Sequence, residues 1–85
     1  MDPSRAREEL IRSLLLAHAG ELGAIRAYLG HRVSLTDRAH RQAIRDILID
    51  EIHHRRGVLR ILDGLGAAPD PAAERKMDRV GRTIS

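Results

Sequence analysis

The sequence predicts an all-α fold: an antiparallel two-helix hairpin plus a short third helix, completed to a four-helix bundle by homodimerisation. Three observations predict it. Apolar residues recur at helical 3-4 spacing through two long stretches, Ile11, Leu14, Ile25 and Tyr28 in the first and Ile44, Ile47, Val58, Ile61 and Leu65 in the second. Helix start and stop residues separate the stretches at Ser34 to Asp37 and close the second at Gly64 to Gly66. Finally, 85 residues make one small domain, which buries only about 60% of its unfolded surface, so a second copy supplies core that one chain lacks.

Asp2 serves as the N-cap of the first helix with Pro3 at its first position, and the helical pattern runs to about Val33. A second apolar line, Leu15, Leu22 and Leu29, widens the buried face. Gly20 and Gly23 interrupt it, each at a cost of about 1 kcal/mol relative to Ala in a helix interior. With Ala17, Ala24 and Ala27 they form a small-residue face, suited either to close helix approach or to room for a substrate beside Glu21. Ser34-Leu-Thr-Asp37 has the Ser-x-x-Asp form of a capping box and opens the second helix. Rise accumulates at about 1.5 Å per residue on both arms of a hairpin, so Glu21 and Glu51 are level only if the turn is centred near Thr36; helix 1 must continue through Gly30.

The second helix extends from about Asp37 to Leu62 or Leu65, with Leu48, Ile52, Leu59 and Leu62 widening its apolar face and Gly64 or Gly66 as its stop. Ala67 to Pro71 is a linker. Asp70 caps and Pro71 begins a third helix, whose stripe of Met77, Val80 and Ile84 runs among Arg75, Lys76, Arg79 and Arg82. Residues 1–66 thus form the hairpin and 67–85 the linker and amphipathic C-terminal helix.

Composition narrows the function. The net charge is +3 and the isoelectric point about 10.5, but the arginines are interleaved with Asp and Glu and Tyr28 is the sole aromatic. Without a basic stripe or stacking platforms, no nucleic-acid partner is expected. The absence of Cys excludes disulfides and thiolate metal sites. No early apolar stretch resembles a secretory signal and no run approaches the roughly eighteen apolar residues of a membrane span, so a cytoplasmic protein is expected. The basic C-terminal helix has the chemistry to lie on a membrane, yet its few apolar residues favour packing back on the dimer.

The chemistry sits where the seams are interrupted: His18 and Glu21 in the first, Glu51 and His54 in the second. An unpaired carboxylate buried in a bundle costs several kcal/mol or protonates, so carboxylates on core stripes need a neutralising partner. A metal ion is such a partner. Glu51 and His54, one turn apart, point the same way and can share an ion, and a facing Glu can bridge to a second. Carboxylates with one imidazole suit iron, or manganese, better than a thiolate-preferring ion. A bundle-core dinuclear site takes a Glu from each of two helices and a Glu-x-x-His from each of two others, and one chain holds half of that set. Two copies supply four Glu and two His, which predicts a homodimer with the metals near its two-fold axis.

His18-Ala-Gly-Glu21-Leu-Gly-Ala-Ile-Arg-Ala-Tyr28-Leu-Gly30 resembles the first metal-ligand helix of the demethoxyubiquinone hydroxylases, di-iron enzymes of ubiquinone biosynthesis. Asp50-Glu51-Ile-His-His54 resembles their Glu-x-x-His helix. The resemblance covers roughly Leu14 to Leu65 and half of that fold; the second Glu and second Glu-x-x-His of those enzymes are absent. One Glu, a Tyr seven residues on and a Glu-x-x-His also resemble the encapsulated ferritins, two-helix ferroxidases that build a di-iron site between subunits. The resemblance implies a ferritin-like bundle with Glu21, Glu51 and His54 as ligands of two iron ions per dimer site, and Tyr28 beside them.

By spacing, His18 and Asp50 are candidates to orient the ligands, since they lie one turn from Glu21 and His54 respectively. His53 points about 100° away from His54. Tyr28 is either a core tyrosine with a satisfied hydroxyl or a catalytic gate and hydrogen-bond donor near the metals. The leading expectation is an oxidase that uses dioxygen or peroxide, either a ferroxidase or a hydroxylase of a quinone-like substrate. A non-enzymatic helical interaction domain and a basic nucleic-acid-binding hairpin are the other classes.

Overall fold

The computed structural model describes residues 2–84, so Met1 and Ser85, the outer ends of the two predicted segments, lie outside the described residues. Three helices account for nearly all of it: α1 Pro3–Ser34, α2 Arg38–Gly64 and α3 Pro71–Ile84. No strand occurs among the described residues.

Each boundary has a local cause. Asp2 Oδ1 accepts the Arg5 amide at 3.1 Å, satisfying one of the free donors of the first turn, and Pro3 lacks an amide that would otherwise need a partner. Asp37 alone caps α2, accepting the Ala39 amide at 3.1 Å. The expected Ser34 capping box does not form. Ser34 is the last residue of α1 and its hydroxyl donates to the His31 carbonyl at 2.8 Å, because a free carbonyl of the ending helix is within closer reach than the amides of the next. At the end of α2, Gly66 takes φ +73°. Its amide donates to the Asp63 carbonyl at 3.0 Å and that of Ala67 to the Leu62 carbonyl at 2.9 Å, the paired closure that ends many helices. Asp70 accepts the Ala72 amide at 3.0 Å to start α3.

The turn between α1 and α2 is residues 35–37, centred on Thr36 as level carboxylates require. At the open end of the hairpin the Arg7 guanidinium donates to the Leu65 carbonyl.

Helix α1 is the middle element, with α2 and α3 packed on different faces of it. On α2 the buried residues are Leu48 and Leu62, not the predicted seam. Ile47 and Ile61 remain 37% and 52% exposed. The contact line is therefore rotated by roughly 70° from the seam's centre at 100° per residue, because α1 covers only one side of a wide apolar face.

Against α3, the small-residue face of α1 serves close approach. Met77 and Gly81, one turn apart, straddle Gly23, and a Cβ on Gly81 would overlap the Gly23 carbonyl and lie 2.8 Å from Arg26 Cβ. A Cβ on Gly20 would meet nothing within 4 Å. The Arg26 Nε donates to Asp78 Oδ1 at 2.5 Å and Arg82 Nε to Asp78 Oδ2 at 3.0 Å. The hydrogen bond from Arg26, with a smaller contribution from Arg82, holds the Asp78 carboxyl below its ordinary range although partial burial opposes this. No described helix is long and apolar enough to cross a membrane.

Candidate metal centre

The register of the hairpin sets Glu21 of α1 opposite Glu51 and His54 of α2. One ligand atom from each lies within 4.8 Å of the others. Donors bound at about 2.0–2.2 Å to a common ion are at most about 4.4 Å apart, so small side-chain movements suffice for all three to reach one ion. Glu21 and Glu51 are half-buried and His54 is exposed, which leaves the cluster open on the His54 side.

Electrostatics sharpens the assignment. Glu21 Oε2 is shielded from solvent and has no hydrogen-bond partner among the described residues. A shielded carboxylate oxygen in that state carries a desolvation cost that no described residue offsets, and a cation is a partner whose charge would offset it. Two carboxylates, one imidazole and no sulfur fit iron or manganese.

The remaining candidates are distributed differently. His18 is only 4% exposed, but its Nδ1 pairs with Glu74 Oε1 of α3 and it does not belong to the cluster. Arg55 of α2 donates to Glu74 Oε2 at 3.2 Å and approaches the His18 carbonyl at 3.4 Å, so one network ties all three helices. Asp50 and His53 are exposed on α2. Tyr28 is half-buried, two turns from Glu21, in a hollow of about 360 Å³ lined also by His31, Ile44 and Ile84. Seven residues, about 10 Å along the helix, separate it from Glu21.

Sequence reasoning missed Glu74 and Arg55. The signal for Glu74 was available: Glu74, Met77 and Gly81 recur at helical spacing and share the face that α3 turns to α1. Arg55 offered none, since a basic residue next to His54 reads as part of a solvated face.

Compared with protein-family models, with curated proteins and with solved structures, the chain matches none. What fold and site define is an all-α chain, a helical hairpin braced by a third helix, with a carboxylate–imidazole cluster at its middle.

Proposed function

We propose that the chain is a cytoplasmic di-iron carboxylate protein of ferritin-like design, with the metal site completed at a homodimer interface, and that it oxidises ferrous iron with dioxygen or peroxide. The observation that carries this reading is the convergence of Glu21, Glu51 and His54 from two helices, with Glu21 Oε2 buried and unpartnered. Iron is the substrate, and the electrons it loses pass to dioxygen or peroxide. Glu21 and Glu51 supply the negative charge that favours the ferric over the ferrous ion, and His54 supplies a neutral ligand that limits it. The same residues would accept manganese.

Supporting the dimer is the surface one chain leaves uncovered. The accessible area is 6035 Å², about 1,000 Å² more than is usual for a monomer of this mass. That excess is close to the roughly 800 Å² each partner contributes to a standard interface. Ile47, His54 and Ile61 are seven residues apart and so share one exposed line on α2. On α1, Leu10 and Ala17 are exposed on the side that carries Glu21. A second hairpin seated there would bring its own Glu21, Glu51 and His54 to the open side of the cluster.

Within the same chemistry, a hydroxylase of a quinone-like substrate is the second reading: the Gly23 side is filled by Met77 and Gly81, and only the space beside Gly20 is left to admit a substrate. A purely structural ion-pair domain would require a cation for Glu21 Oε2, which has no partner among the described residues. The test is metal-stripped protein loaded anaerobically with ferrous iron and then exposed to oxygen. Oxygen uptake should depend on iron and vanish in Glu51→Ala. Iron binding no greater than that of the variant would overturn the reading.

A further inference from the structure

The hairpin turn carries a second cluster, unrelated to the carboxylates. Arg32 at the end of α1, Thr36 in the turn, and Arg38, Arg41 and Gln42 at the start of α2 line a polar hollow of about 390 Å³. Arg38, Arg41 and Gln42 are three and four residues apart, so they share one face of the first turns of α2, whose N-terminal end is itself positive.

Three guanidiniums around one hollow repel one another, and an anion between them relieves that repulsion. Arg32 Nε is shielded from solvent without a hydrogen-bond partner, and among the described residues no carboxylate pairs with Arg32, Arg38 or Arg41. The carboxylates nearest in sequence are otherwise engaged. Asp37 accepts the Ala39 backbone amide and pairs with His40 at 2.7 Å, and Asp46 accepts from the Gln42 side-chain Nε2 at 3.0 Å. The donors facing the hollow are thus in excess of local acceptors, and guanidinium forks match tetrahedral oxyanions in geometry as well as charge.

We propose that this hollow is a binding site for a small phosphate-bearing anion, with Arg32, Arg38 and Arg41 as its charged donors and Thr36 as a neutral one. The volume admits a phosphate together with a group of glycerol or sugar size. The site stands apart from the metal reading, since Arg32 lies eleven residues from Glu21, about 16 Å along α1.

The test is a titration of the whole chain at low ionic strength, read from backbone amide shifts, with inorganic phosphate, glycerol phosphate and a short DNA duplex as separate probes. Saturable shifts confined to residues 32–42 with one phosphate per chain are expected. Arg41→Gln, at an exposed position that folding does not need, should weaken binding about tenfold, and Arg32→Gln at least as much. Arg12→Gln, exposed elsewhere on α1, should leave it unchanged. Tighter binding of glycerol phosphate than of inorganic phosphate marks an organic phosphate as the ligand, and equal binding marks the free ion; either supports the site. Absence of saturation, equal loss in Arg12→Gln, or binding of the duplex alone overturns it.

Discussion

Glu21 meets two demands at once: it is shielded enough to need a partner, and it faces a Glu and a His that need the same one. If that partner is iron, Glu21→Ala should lose iron-dependent oxygen consumption while keeping normal helicity. Its melting temperature should be no lower than that of the metal-free parent, because removing an uncompensated buried charge is neutral or stabilising. Melting several degrees below the parent would instead identify Glu21 as a structural ion-pair partner. The two adjacent histidines give a sharper contrast. His54 shares a line with Glu51 and His53 does not, so His54→Ala should abolish iron binding and His53→Ala should leave it nearly intact. Equal loss would mean that the face of α2 is wrongly assigned. His18 and Glu74 make a separate case: with Glu74 mostly buried between His18 and Arg55, Glu74→Gln should cost about 2 kcal/mol in urea unfolding without changing iron stoichiometry.

At the level of elements, α1 is gripped by α3 where glycine permits it and is free where glycine is only tolerated. Gly81→Ala drives a Cβ into the Gly23 carbonyl, which a backbone cannot yield, and should destabilise by about 1–3 kcal/mol despite the better helix propensity of Ala. Gly20→Ala meets open space and should stabilise by about 0.5–1 kcal/mol; thermal unfolding of the pair reads both signs. The α1–α3 contact also has a pH signature. Asp78 is held below its ordinary range chiefly by Arg26, so its contribution is present above that range and is lost as pH falls below about 4. Amide exchange of α3 measured through that window should accelerate relative to α1 and α2. Much of this architecture was legible beforehand, because caps and stops are local chemistry: Asp2, Asp70 and Gly66 each act on amides or carbonyls within a few residues, whereas the Ser34 box expected at the start of α2 is replaced by Asp37. The level of Glu21 with Glu51 was legible as well, from nothing more than equal rise about Thr36. The rotation of α2 and the commitment of His18 to Glu74 were not. Both depend on contacts between residues far apart in the chain, which periodicity along one helix does not encode.

The whole molecule is built long and thin, 52 × 22 × 20 Å, with a radius of gyration of 15.1 Å where about 12 Å is usual for a compact chain of this length. Among the described residues only Ala19, Leu48 and Leu62 are buried and apolar with a side chain, while Ile47, Ile61, Leu10 and Leu16 stay exposed among others. If the chain holds half of a shared site, as proposed, a second copy seated on these exposed residues would cover them. Iron should then strengthen association, since binding energy shared between chains becomes assembly energy. The most direct test is native mass spectrometry of metal-stripped protein before and after anaerobic addition of ferrous iron. A dimer that takes up two iron ions, with the monomer fraction falling as iron is added, is the predicted result. A monomer that persists unchanged by iron, or a dimer that takes up none, would contradict the shared-site account.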